Sequence, residues 1–205
     1  MKRTKTLMLQ GTASGVGKST LSIGICRLLH RKGFRVAPFK AQNLSDNAHI
    51  LPDGRKMARS QAIAAAASGL SPDPDMNPVL LSPGRDGCEV IVNGRPVPRF
   101  ERDACREAAH RAYERLCGRF DAVVAEGRRI LETVCEVPVL GIIPHFNLHL
   151  EDEDSLPGAA TVTREKLASF VPEGMSFEEF QEQQWDALAA NLDVPALLRI
   201  MEAGA

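Results

Sequence analysis

The chain has no Cys-x-x-Cys pair, no long apolar run, almost no net charge and no internal repeat or low-complexity tract. Each absence removes a class of protein. The five cysteines, at positions 26, 88, 105, 117 and 135, are odd in number and irregularly spaced, which argues against a disulfide framework; buried free thiols in a reducing cytoplasm are the expectation. A formal net charge of −1 over 205 residues offers no global basic field to nucleic acid or to a membrane, so neither is expected as a partner. The basic start Met1-Lys2-Arg3-Thr4-Lys5 precedes only a few apolar residues, which read as a core strand rather than a secretion signal. No stretch approaches the length needed to span a bilayer. With 44% hydrophobic and 25% charged residues, the composition suits one globular domain with a real core, placed in the cytoplasm.

The feature that is present, and that organises the rest, is a glycine-rich loop between an apolar run and an amphipathic helix: Leu7-Met8-Leu9-Gln10-Gly11-Thr12-Ala13-Ser14-Gly15-Val16-Gly17-Lys18-Ser19-Thr20. In such a loop backbone N–H groups point at phosphate oxygens, aided by the positive end of the helix dipole. Gly11, Thr12, Gly15, Val16, Gly17, Lys18, Ser19 and Thr20 are therefore the expected nucleotide-binding residues, with Lys18 a mobile charge on the β- and γ-phosphates and the Ser19 hydroxyl on Mg²⁺. The strict Walker A spacing places a glycine where this chain has Thr12; its glycine is one position earlier, at Gly11. An accidental glycine-rich turn with a surface lysine is the competing reading. The order strand, loop, helix is the order the mechanism requires, and it favours the phosphate loop.

Along the chain, residues 6–10 read as a buried strand and 18–32 as a helix with Leu21, Ile25, Leu28 and Leu29 on one face and Gly33 as its cap. Residues 35–39 form a second short strand, completing the unit of a parallel sheet. Residues 41–53 read as polar and turn-rich, 57–68 as an alanine-rich helix, and the proline-spaced 71–78 as irregular. A strand at 89–92 ends in an Asn93-Gly94 turn signal, and a charged amphipathic helix covers 101–117. Residues 121–127 and 137–144 are further buried strands, with an acidic loop at 151–154. From 161 onward the pattern is helical, with Ser176 to Glu179 as an N-cap signal and Pro195 in the first turn of a last helix. The expected fold class is α/β: a three-layer P-loop NTPase fold with a mainly parallel sheet at 1–160, and a helical tail at 161–205 packed on the same domain.

Glu126 lies just past the carboxyl end of its strand, as Gly11 does, where ligands bind in open α/β sheets. A carboxylate there can hold Mg²⁺ opposite Ser19; a solvated loop glutamate is the bland alternative. Asp121, at the other end of that strand, reads as a turn residue. Lys40 ends the second strand on the ligand edge and either neutralises a phosphate or carboxylate or is an exposed surface lysine. Gln42, Asn43, Asn47, Arg59 and Gln61 offer donors and acceptors for a polar substrate, though such residues are also ordinary in loops. His145 and His149 have metal-pair spacing, but they follow Pro144 in a loop that does not fix their geometry. Trp185 reads as a helix residue packed on the core.

These residues together resemble the N-terminal ATPase domain of cobyric acid synthase, a glutamine-dependent amidotransferase of cobalamin biosynthesis, in the wider group that includes dethiobiotin synthetase. The resemblance runs from Met8 to Gly127 through Val36-Ala37-Pro38-Phe39-Lys40-Ala41-Gln42-Asn43, Arg59-Ser60-Gln61-Ala62, Asp75-Met76-Asn77-Pro78 and Val90-Ile91-Val92-Asn93-Gly94-Arg95. It resumes at 138–144 and 151–156. The segment around Met76-Asn77-Pro78 is the most specific to cobyric acid synthase. The resemblance implies ATP and Mg²⁺ as cofactors, a corrinoid carboxylate as substrate, and catalytic roles for Lys18, Lys40 and Glu126, with Ser19 and Glu126 as metal ligands. It also implies a separate glutaminase or free ammonia as nitrogen source, because no glutaminase nucleophile with its His and Glu is found in this chain, and it leaves a homodimer open.

The resemblance is to an internally shortened relative of the family. The family follows Glu-Gly with Ala-Gly-Ser, where this chain has Arg128-Arg129-Ile130, and it carries a longer stretch before Pro138 that includes the adenine contact. ATP and GTP are therefore expected to be poorly discriminated. Ser82 stands where the family often has lysine, and the tail from about residue 181 resembles dethiobiotin synthetase-type ATPases. Two other functions follow from these departures: a regulatory P-loop protein without amidation activity, and a dethiobiotin-synthetase-like ligase.

Overall fold

A computed structural model describes residues 4–10, 17–84, 87–127, 167–190 and 192–203. The architecture follows from the strand at 122–127. Its run Ala122-Val123-Val124-Ala125 has no polar residue on either face, which is the pattern of a strand covered on both sides. That strand, β9 (Ala122–Gly127), is the centre of a parallel sheet between β1 (Lys5–Gln10) and β2 (Val36–Phe39). The register sets Lys5 beside Ala122 and Gln10 beside Gly127, with Val36 beside Ala122 on the other flank.

The two-residue period then sorts the core. Ala122 and Val124 join Leu7, Val36, Ile25, Cys26 and Leu29, beneath helix α1 (Lys18–Arg31). Val123 and Ala125 join Ala37, Phe39, Met57, Ala65, Ala112 and Leu116, under helices α2 (Arg59–Ala67) and α3 (Arg102–Arg119). Helices on both faces of a parallel sheet are the three layers of an α/β domain. At the amino-terminal end of the sheet Arg35 donates to both carboxylate oxygens of Asp121, consistent with a turn role there.

Beyond Phe39 the chain builds more structure than its polarity suggests. Residues 41–53, read as turn-rich, contain β3 (Gln42–Leu44) and β4 (Ala48–Ile50); β4 pairs antiparallel with β5 (Lys56–Ala58). The strands have only three residues each, too few to show a period. β3 runs parallel to β6 (Val79–Gly84), and β6 continues antiparallel through β7 (Gly87–Val92) to β8 (Arg95–Val97). The mainly parallel sheet is thus joined by a second, mixed sheet. The β7–β8 turn carries Asn93 and Gly94 at φ of 50° and 81°, the left-handed pair that a tight two-residue hairpin requires. The proline-spaced stretch is not wholly irregular: Pro74–Met76 makes a 3₁₀ turn, which tolerates proline in its first position, and Asp73 caps it through the Asp75 N–H.

The tail helices are α4 (Phe177–Ala189) and α5 (Val194–Ala203). Ser176 and Glu179 form a reciprocal capping box at the start of α4. Asp193 accepts from the Ala196 N–H to start α5, with Pro195 in its first turn. Trp185 packs on Ile23, Ala64 and Ala67, and Arg27 pairs with Glu182 and Asp186. Leu197 enters the core cluster under α1. The expected strand at 137–144, the acidic loop, His145, His149 and Cys135 lie outside the described residues. Of the other cysteines, Cys26 and Cys105 are buried and Cys117 half-buried, but Cys88 is exposed near the start of β7, contrary to the expectation of buried thiols. Among the described residues, no helix is long and apolar enough to cross a membrane.

Candidate nucleotide-binding site

Parallel pairing brings the carboxyl ends of β1 and β9 side by side, Gln10 next to Gly127. Glu126 has the same parity as Ala122 and Val124, so its side chain emerges on the α1 face. α1 begins there. Gly17, at its N-cap, has φ of 83° and ψ of 17°, a left-handed conformation that side chains rarely adopt. The first turn holds no acidic residue, and no side chain caps it. The positive end of the helix is thus not neutralised from within its own first turn, which suits an anion site. Lys18 and Ser19 are its first two residues; Gly11, Thr12, Gly15 and Val16 lie outside the described residues, and Thr20 is half-buried one position further on.

Three side chains converge on Glu126, whose own side chain is 1% exposed. The Ser19 hydroxyl donates to Oε2 at 2.8 Å. Lys40 Nζ lies 3.6 Å from the same oxygen, from the end of β2. Gln61 Nε2 donates to Oε1 from the first turn of α2. Lys40 is 14% exposed, which removes the surface-lysine reading, and the solvated-loop reading of Glu126 falls with its burial. Gln61 Oε1 is buried with no hydrogen-bond partner among the described residues.

The other candidate residues separate. Asn43 is buried and donates to Ser60 Oγ at 3.4 Å. Gln42 is exposed. The Asn47 carbonyl accepts the Arg59 N–H, so β4 and the start of α2 are tied together. Arg59 is half-buried at the first position of α2, two residues before Gln61. One thiol lies near the site: burial pushes Cys26 up to about 12, with a bond from Ser68 acting against it and the Glu126 charge adding to it.

The donor set suits Mg²⁺. A hydroxyl and a carboxylate oxygen are hard ligands, and Mg²⁺ typically takes one or two protein oxygens and completes its shell with phosphates and water. Among the described residues no group of three or more His, Cys, Asp or Glu could hold a metal by itself. Ser19, Lys40 and Glu126, expected at the ligand edge from their places at strand and helix ends, are brought together here. Gln61 is expected only as one of several polar groups; the signal available is a single amide in an otherwise alanine-rich helix.

The model of the CbiA family, described as the CobQ/CobB/MinD/ParA nucleotide binding domain, matches residues 7–155. The chain belongs to this family. Its similar proteins include the cobyric acid synthase of Halorhodospira halophila, 47% identical over 135 residues that make up 62% of this chain and 28% of that protein. The cobyric acid synthase of Hyphomonas neptunium is 48% identical over 131 residues, 60% of this chain and 26% of its own length. That of Syntrophobacter fumaroxidans is 44% identical over 133 residues, covering 61% and 26%. The chain therefore spans little more than a quarter of the length of these relatives. A CbiA domain is a P-loop nucleotide-binding fold, and the two strand ends, the helix start and Glu126 all fall inside the matched range.

Proposed function

We propose that this chain binds Mg²⁺–ATP and is the phosphoryl-transferring part of an amide-forming ligase acting on corrinoid carboxylates in the cytoplasm, with residues 1–160 as the ATPase and 161–205 as a tail belonging to the same body. The observation that carries the reading is the 2.8 Å contact of Ser19 with Glu126, with Lys40 on the same carboxylate oxygen. The likeness to cobyric acid synthases supports the substrate class.

In this reading an oxygen of the acceptor carboxylate attacks the γ-phosphorus, and the bond to the bridging oxygen breaks to release ADP. Ammonia then adds to the acyl carbon. The carbon–oxygen bond to phosphate breaks, inorganic phosphate leaves, and a proton from nitrogen passes to phosphate or solvent. Such a transfer needs charge stabilisation and alignment more than covalent catalysis. Lys18 balances charge on the β- and γ-phosphates. Ser19 and Glu126 would hold Mg²⁺, which supplies neutralisation of the phosphate oxygens. Lys40 faces the transferring phosphoryl group or the acceptor carboxylate, and Gln42, Asn43, Asn47, Arg59 and Gln61 are the nearby groups from which acceptor contacts would be drawn.

The test is ATP turnover by the purified chain with a corrinoid diamide acceptor and ammonia supplied singly and together. Turnover that needs both supports the reading. ATP binding without amidation under ammonia excess rejects it in favour of a regulatory nucleotide-binding protein.

A further inference from the structure

The Asp75-Met76-Asn77-Pro78 motif has no part in the site as described, yet Asn77 is one of the most buried polar side chains among the described residues, at 1% exposure. Its carboxamide joins three elements. Oδ1 accepts the N–H of Ala58 at 2.9 Å, at the start of α2. Nδ2 donates to the carbonyl of Lys40 at 3.0 Å and to that of Val79 at 3.1 Å. The preceding residue completes the hold, since the Lys40 N–H donates to the Met76 carbonyl at 2.9 Å. Both backbone polar groups of Lys40 are thus held by residues 76 and 77.

The clamp is itself anchored. Arg115 donates to both oxygens of Asp75, and Arg119 pairs with Asp73, so the 3₁₀ turn is tied to α3 on the far side. Lys40 and Ala58 lead to the two groups that flank Glu126 with Ser19: the Lys40 ammonium and, three residues after Ala58, the Gln61 amide. A short planar group with one acceptor and two donors meets all three backbone partners at once. Aspartate lacks the donors and would set a carboxylate against two carbonyls. Glutamine is a methylene too long for a packed site.

We propose that Asn77 is a positioning residue for phosphoryl transfer: its carboxamide locks the backbone of Lys40 to the start of α2 and so fixes the Lys40 ammonium and the Gln61 amide on either side of Glu126. The proposal rests on the function inferred above for Lys40, and its test separates the two. Asn77→Ala and Asn77→Ser are compared with the intact chain, the serine variant supplying a small polar side chain should the alanine variant not fold. Folding is followed by thermal melting and Trp185 fluorescence.

Two readouts decide. In acceptor- and ammonia-dependent turnover, Asn77→Ala should lower kcat about tenfold or more with KM for ATP within about threefold, and adding Asn77→Ala to Lys40→Ala should cost clearly less than adding it to the intact chain, the remainder passing through Gln61. Independently of activity, amine-reactive labelling read by peptide mass spectrometry should modify Lys40 several times faster in the folded variants, while Lys32, remote at the end of α1, is unchanged. Unchanged Lys40 labelling in a folded variant overturns the proposal, as does full additivity with Lys40→Ala. If the intact chain shows no turnover, the functional reading fails, and the labelling result still decides the clamp.

Discussion

Ser19 donates to Glu126 at 2.8 Å although 107 residues separate them. The contact exists because β1 and β9 pair in parallel with their ends level, and because Glu126 falls on the same side of β9 as Ala122 and Val124. In the proposed function, a hydroxyl at a helix start and a carboxylate at a strand end, brought together this way, would make a two-oxygen seat for a cation beside an anion-binding helix terminus.

Glu126→Gln keeps the shape of this seat and removes its charge. The expected result is a weaker enhancement of ATP affinity by Mg²⁺, with metal-free affinity changed little. Calorimetry with Mg²⁺ and with chelator measures both. Equal metal enhancement in the two proteins would remove Glu126 from the metal role.

Lys18→Ala should weaken ATP binding about ten- to a hundredfold, because a charge-assisted hydrogen bond is worth roughly 1.5–3 kcal/mol. The fold should survive, since α1 is held by Ile25, Cys26 and Leu29 rather than by its first residue. Unchanged ATP affinity by calorimetry would reject a phosphate role.

Cys26 gives a pH dependence of known sign. Burial pushes its thiol from 9.0 up to about 12, so between those values the unfolded chain loses the proton while the folded chain keeps it. The unfolded state then binds fewer protons, and stability is lost as pH rises, by about 1.4 kcal/mol per pH unit from this group. Urea midpoints should fall above pH 9 in the intact chain and fall less steeply in Cys26→Ala. Parallel curves would contradict the assignment. Thiol reagents should modify exposed Cys88 well before Cys26 in the folded protein.

Trp185 joins α4 to α1 and α2 through Ile23, Ala64 and Ala67. Trp185→Ala should cost about 3–5 kcal/mol, as expected for deletion of a large buried ring. The loss should appear as an earlier single unfolding transition. A separate transition for the tail, leaving the rest of the melt unmoved, would contradict a tail packed as part of one body.

Much of this was legible in the residues because long elements advertise their period. β9 reads from Ala122 to Ala125 as a strand covered on both faces, α1 from its leucines and Gly33, and the start of α4 from Ser176 and Glu179. The second sheet was legible only in β7 and its Asn93-Gly94 turn: β3 and β8 have three residues each, and β6 runs into Ser82-Pro83-Gly84. Their pairing depends on partners far along the chain, which local propensity does not encode. The Lys40–Glu126 contact was hidden for the same reason. Each residue was placed at the ligand edge, but only the β2–β9 pairing brings them within reach of one another. Asn77 gave no signal beyond its motif, since its partners are backbone groups, which any sequence supplies.

Formation of an activated acyl phosphate is tested most directly by following oxygen. An acceptor whose carboxylate carries a heavy-oxygen label is incubated with the chain, Mg²⁺–ATP and ammonia. Transfer of one labelled oxygen per amide into the released phosphate is the predicted result, because the carboxylate oxygen that attacks phosphorus leaves with it. Unlabelled phosphate, with its new oxygen drawn from water and no amide formed, would contradict the ligase reading and leave a nucleotide hydrolase.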